Sequence, residues 1–204
     1  MLSEELRFGL DWIVQQLEEA KPRIIGPRRF EPPVLVFLDG SCEDEGTMIG
    51  GVLFAPGERV QCFGARVPDK LVDSWKTRLL QKQVIGQAEL FPAVVARWTW
   101  AKHLKGKRVL YFIDNESARL ALVKAYSPVV PSLKLIMNCL GWDQTNLSSA
   151  WYARVPTHSN IADGPSRFVI PDELKAYNPL VVTPVIDPDF SKDNGLSMGD
   201  WRTL

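Results

Sequence analysis

The chain has 204 residues, enough to bury most of its apolar side chains around one core without requiring a second domain. Its 24 lysines and arginines balance 24 acids, so no global charge pulls it towards a polyanion, and any nucleic-acid affinity must come from local patches or from a partner. Cys42, Cys62 and Cys139 are scattered with no C-x-x-C spacing, which argues against a disulfide framework or a thiolate metal site and suits a reducing, intracellular compartment.

Ser3 is placed to cap a helix running from Glu4 to about Glu19, with Leu6, Leu10, Ile13 and Leu17 at helical spacing. This segment is acidic and amphipathic, and no apolar run in it is long enough for a signal peptide or a membrane span. Proline and arginine dominate up to Pro33, so residues 1–33 read as a helix followed by a linker. Val34 to Asp39 is a uniformly apolar run bounded by Pro-Pro and Gly-Ser, as expected of a central buried strand. Residues 48–55 and 58–67 flank the turn signal Pro56-Gly57, which predicts an antiparallel meander of three strands. Gly50 and Gly51 would leave one sheet face bare, and Asp69 would cap a short helix reaching about Leu80.

The next helix is expected from about Ala88 to Leu104, burying Leu90, Val94, Trp98 and Ala101. Pro92, which cannot donate a helical hydrogen bond, should then lie in its first turn. Arg108 to Ile113 reads as a fourth strand, 115–124 and 132–140 as helices, and 149–155 as a fifth strand. Pro171, Pro179, Pro184 and Pro188 with little periodicity make 169–204 an extended tail. The order implies an α/β domain over 34–168, a five-stranded mixed sheet with its first three strands antiparallel and helices on its faces.

Four carboxylates punctuate this plan: Asp39 ends one apolar run, Glu89 opens a helix, Asp114 ends a second apolar run, and Asp163 follows V-P-T-H. Singly, each satisfies an ordinary role: a turn residue before Gly-Ser, a favourable first-turn charge, a cap before Asn115, a turn acid before Gly-Pro. Together, in VLVFLDGS, GQAELFPAVVARW, VLYFIDNESARLAL and YARVPTHSNIADGPSR, they resemble the RNase H family. The wording is closest to the RNase H domains of retroelement reverse transcriptases, and the likeness covers about residues 34–168. The resemblance implies an RNase H-like fold and an endoribonuclease that cuts the RNA strand of RNA–DNA hybrids. It also implies two Mg²⁺ ions, for which Mn²⁺ can substitute, held by Asp39, Glu89, Asp114 and Asp163. Asp39 would bridge both ions, with Glu89 and Asp114 on one side and Asp163 on the other. The chemistry asks for such residues: phosphodiester hydrolysis needs an activated water and relief of charge on the leaving oxygen, and magnesium takes hard oxygen ligands.

His158 stands where the family carries a mobile histidine that aids proton transfer or product release, although the gap to Asp163 is short; a structural hydrogen bond in the loop is the other reading. Gly40, Ser41, Gln87, Asn115 and Ser117 adjoin the acids and are candidate substrate contacts. The run Lys102, Lys105, Lys107 and Arg108 either meets nucleic-acid backbone or is a solvated face, and His103 beside it reads as solvated. Few basic residues lie between Asp114 and Asp163, so unaided grip on a hybrid should be weak. A polymerase module or a second copy, docking on the N-terminal helix, would then assist. Two other readings share the fold: a catalytically silent tether, and a DNA-acting transposase or resolvase. Exonucleases with a D-x-E first motif fit poorly, because Ser41 stands where the glutamate would be.

Overall fold

The computed structural model describes residues 3–19, 31–44, 46–76 and 84–186. The N-terminal helix α1, Glu4–Glu19, forms as its periodicity predicts, and the Ser3 hydroxyl accepts the Leu6 N–H at 3.2 Å. Its apolar stripe stays outside the core, with Leu6, Leu10, Ile13, Val14 and Leu17 all exposed. The proline-arginine linker falls mostly outside the described residues.

Strands β1 (Val34–Glu43), β2 (Gly46–Phe54) and β3 (Gln61–Arg66) make the expected antiparallel meander. The short helix α2, Asp69–Trp75, follows with Pro68 at its cap position, so Asp69 is its first helical residue rather than its cap; the expected extension towards Leu80 lies outside the described residues. Asp69 instead pairs with Arg66 at 3.0 Å. Helix α3, Ile85–Thr99, precedes the short α4, Ala101–Leu104, and then β4, Arg108–Ile113. Next come α5 (Glu116–Lys124), α6 (Val130–Thr145), longer at both ends than its sequence pattern suggested, and β5, Ser149–Arg154. Both β4 and β5 run parallel to their neighbours.

Residues 169–186 are not simply an extended tail, and the rest of the expected tail, 187–204, lies outside the described residues. Helices α7 (Asp163–Ser166) and α8 (Asp172–Lys175) lead into β6, Leu180–Val181, which pairs with β3 and raises the strand count from the expected five to six. The sheet order is β5-β4-β1-β2-β3-β6.

Alternation along β1 sorts its side chains onto two faces. Val34, Val36 and Leu38 join the main core, which is built with Leu90, Val94 and Trp100 of the α3 region and Ile136 of α6. Phe37 faces the other side, where Val52, Cys62, Ala162 and Leu174 form a smaller cluster. Trp100 is core, while Trp98 is half-buried and directs its indole N–H to Asn138 at 3.4 Å. A buried ion pair ties the main core together: Arg97 meets Asp143 through two bonds of 3.0 and 2.7 Å, donates to the Tyr152 hydroxyl at 2.9 Å, and lies 4.4 Å from the Tyr111 ring centre. Such a pair is costly to break, because either partner left alone would be a buried, uncompensated charge.

Candidate active site

Parallel pairing of β1 with β4 aligns Leu38 with Ile113, so the next residues along lie side by side: Asp39, midway along β1 rather than at its expected end, and Asp114, directly after the end of β4. Neighbouring strands lie about 4.8 Å apart, which brings the two carboxyls into one place. Two apolar runs that each end in aspartate are therefore one structural device repeated on adjacent strands.

Glu89 arrives from the main-core side. Pro92 is the eighth residue of α3, not a first-turn residue, and without an N–H it cannot bond the carbonyl four residues back, that of Ala88. That freed carbonyl rests on Gly40, where a Cβ would stand only 2.1 Å from it. A proline inside the helix and a glycine in the strand thus permit one close contact, which seats the next residue, Glu89, beside Asp39. The Gly40 N–H donates to the Glu89 carboxylate, and the Asn115 side-chain amide reaches its Oε1 at 3.4 Å.

Asp163 arrives from the opposite face. Register across the meander sets Asp39 against Gly50 and Gly50 against Gly64. This glycine pair is a floor for α7: a Cβ on Gly50 would stand 2.4 Å from Ser166 N and 2.5 Å from Ala162 O, and one on Gly64 2.0 Å from Pro165 O. The adjacent Gly51 points the other way, where a Cβ would meet the Phe63 ring at 2.6 Å, so the two glycines serve different faces rather than baring one.

Two residues that the sequence reading passed over fix Asp39. The Ser166 hydroxyl donates to Asp39 Oδ2 at 2.6 Å, and Asn160 donates to the Leu38 carbonyl at 2.9 Å and to Asp39 Oδ1 at 3.5 Å. Arg167 bonds Asp163 at 3.2 Å and Glu43 at 2.5 Å. All three lie in the stretch N-I-A-D-G-P-S-R, whose spacing around Asp163 was the available signal.

Burial and neighbouring charge raise the proton affinity of Asp39 and Glu89. Burial is the main cause of the upward shift at Asp39, opposed by the Ser166 hydrogen bond and reinforced by the charges of Asp114 and Asp163. Glu89 is pushed up to about 8, first by burial and then by Asp39 and Asp114. Among the described residues Glu89 Oε2, Asp114 Oδ1 and Ser41 Oγ are buried with no hydrogen-bond partner. Buried oxygens are rarely left so, and hard oxygens held ready beside clustered carboxylates match the donor set that Mg²⁺ takes. No three acid, histidine or cysteine side chains among the described residues close around a single ion by themselves. An ion held here would need water and substrate oxygens to complete its shell.

The other candidates divide. His158, in a 3₁₀ turn over Thr157–Ser159, is exposed and makes no side-chain hydrogen bond to a described residue. Ser117 is exposed and Ser41 half-buried, while Gly40 is buried under α3. Gln87 is 4% exposed and donates to Ser132 at 2.9 Å, which makes it a tie between α3 and α6 rather than a presented group. Asn115 caps α5 by accepting the Ala118 N–H at 3.0 Å. His103 is not simply solvated: its Nε2 lies 3.1 Å from the Gln61 amide nitrogen. Away from the acids, a cleft of about 690 Å³ is lined by Trp12, Leu122, Asp143, Leu147, Trp151 and Tyr152 among others, and none of the four acids lines it.

No protein-family model matches the chain, and no curated protein matches it significantly. Solved structures do. An RNase H1 isolated from compost by a metagenomic approach superposes with a TM-score of 0.50 at 14% identity, over 68% of this chain and 95% of that one. RNase H1 from the halophilic archaeon Halobacterium salinarum gives 0.49 at 17% identity, over 66% of this chain and 94% of that one. The compost enzyme in complex with an RNA/DNA hybrid gives 0.44 at 12% identity, over 67% and 96%. The mixed sheet with its antiparallel first strands and flanking helices is an RNase H-like fold.

Proposed function

We propose that the chain is a divalent-metal-dependent endoribonuclease that hydrolyses the RNA strand of RNA–DNA hybrids, leaving 5′-phosphate and 3′-hydroxyl ends. The observation that carries the proposal is the convergence of Asp39, within β1, and Asp114, just past the end of the adjacent β4, with Glu89 seated beside Asp39 from one face and Asp163 delivered on α7 from the other. An RNase H-like fold around this cluster supports the reading.

Asp39, Glu89, Asp114 and Asp163 would hold the metal, two Mg²⁺ ions with Mn²⁺ as a substitute. Bound there, the metal supplies a lowered pKa for the attacking water and charge relief at the phosphate. The chain's own residues do the rest. Ser166 and Asn160 fix the Asp39 carboxyl in one orientation, and the Gly40 N–H with the Asn115 amide does the same for Glu89. His158, exposed in its 3₁₀ turn, would exchange a proton at the leaving oxygen. Ser41, Asn115 and Ser117 border the cluster where sugar hydroxyls and phosphate would lie. Gly40 and Gln87, both buried, support the cluster from beneath and do not meet substrate themselves.

The motif wording supports reading the domain as one of a retroelement reverse transcriptase, which would work beside a polymerase module or a second copy docked on α1. The exposed stripe Leu6, Leu10, Ile13 and Leu17 supports docking by that route. The three free cysteines accord with a reducing, intracellular setting.

The test is one assay of end-labelled hybrid, duplex DNA and duplex RNA with Mg²⁺ or Mn²⁺. Internal cleavage confined to the RNA of the hybrid is expected. Cleavage of duplex DNA instead would move the protein to the transposase class, and no cleavage at all, with hybrid still bound, would make it a tether.

A further inference from the structure

One residue beside the acids breaks a backbone rule. Phe168 has φ of +59°, the left-handed region in which a Cβ crowds the following carbonyl oxygen. It closes α7 through both bonds of a Schellman turn, Phe168 N–H to Pro165 O at 3.0 Å and Val169 N–H to Gly164 O at 2.9 Å. Glycine is the residue that this position favours. Nor does burial compensate for the strain, since Phe168 is 62% exposed. Among the described residues the other non-glycine residues with positive φ are Asn178, a type that tolerates the region, Ala125, the left-handed cap of α5, and Leu147, which lines the cleft near Trp151.

The position of the ring is informative. Its Cδ1 lies 3.4 Å from where a Gly64 Cβ would stand, and Gly64 is two register steps from Asp39. Residues paired across strands share a face, so the ring stands on the same side of the sheet as the Asp39 carboxyl, roughly 10 Å from it at the usual strand spacing.

We propose that Phe168 is a substrate contact whose exposed ring packs on a sugar of the hybrid flanking the cleaved phosphate. The proposal rests on the hybrid-cleaving reading above. A phenyl ring has no hydrogen-bonding group, and paired bases are stacked out of its reach. What it can cover is a sugar face displayed in the wide, shallow minor groove of an A-like duplex. A protein partner seated on this ring would crowd the acids beside it, which disfavours that occupant. Strain held at an exposed position next to a reactive cluster is the pattern of a residue kept for function rather than for stability.

The test compares Phe168→Gly and Phe168→Leu in the full chain by thermal unfolding, by anisotropy titration of labelled hybrid without divalent metal, and by steady-state cleavage. Phe168→Gly relieves the strain, so its melting temperature should rise by about 2–4 °C, which removes misfolding as an explanation of any loss. Its Kd and KM for hybrid should rise about 5- to 10-fold, with kcat within about twofold of wild type. Phe168→Leu, which keeps an apolar surface, should recover part of that affinity. Unchanged Kd and KM in a stabilised Phe168→Gly would overturn the proposal while leaving the nuclease reading intact. A wild-type protein that neither binds nor cleaves hybrid would overturn both.

Discussion

Substituting alanine for Gly50 tests whether the glycine floor positions the fourth acid. The added Cβ would stand 2.4 Å from Ser166 N and 2.5 Å from Ala162 O, both backbone atoms that cannot swing aside as a flexible side chain can. Reaching ordinary contact requires α7 to retreat by about 1 Å, carrying Asp163 and the Ser166 hydroxyl with it. Overpacking of this kind costs about 1–3 kcal/mol, well within what a folded domain tolerates. A misplacement of about 1 Å at a reacting centre costs about 100-fold in rate. Gly50→Ala should therefore fold, melt several degrees lower, and lose about two orders of magnitude in kcat on hybrid. Gly51→Ala is the control, because its Cβ meets the Phe63 and Trp100 rings on the opposite face: it should lose stability but keep kcat within a few-fold. Circular dichroism melts alongside single-turnover cleavage decide the matter. A Gly50→Ala protein with wild-type kcat would refute the claim that the glycine floor sets the geometry of Asp163.

Asp39→Asn and Asp114→Asn should each abolish Mg²⁺-dependent cleavage with little change in melting temperature, and comparable activity in either would sink the metal assignment. Glu89 binds its proton more tightly folded, with pKa about 8, than at its ordinary value of 4.5, so between those pH values the folded state holds more proton than the unfolded state. Metal-free stability should consequently fall as pH rises from about 5 to 8, and Glu89→Gln should flatten that slope in melts across the range. Because metal binding displaces the same proton, Mg²⁺ affinity measured by calorimetry should rise over this window with proton release. His158→Ala should lower turnover by about 10- to 100-fold while leaving Mg²⁺ affinity unchanged, and weakened metal binding would contradict a proton-handling role.

The strand acids were legible because each ends a run of apolar residues, a signal that is local and strong. The parallel register of β1 with β4 then needs no further information to bring Asp39 and Asp114 together. Ser166 was illegible for the opposite reason: its bond to Asp39 spans 127 positions, and neither residue's neighbours foretell it. Pro92 misled by a sound rule, since prolines do avoid helix interiors. Here the carbonyl that loses its partner is occupied by Gly40, a tertiary contact that overrides the local preference. The sixth strand escaped notice because two residues, Leu180 and Val181, are too few to show any periodicity among the surrounding prolines.

That two-residue strand has a consequence for how the protein can be shortened. It covers the outer flank of β3 through bonds from Leu180 N–H to Val60 O at 2.8 Å and from Val182 N–H to Cys62 O at 2.9 Å, with Leu174 of α8 packed beneath. A chain cut at 168 would keep every acid yet leave a row of bare backbone groups along an apolar strand. Such a row is a template on which another molecule can add its own strand, and short edge strands are one way proteins blunt it. The smallest well-behaved fragment is thus set by resistance to aggregation, and extends to about residue 186, rather than by the reach of the catalytic motif.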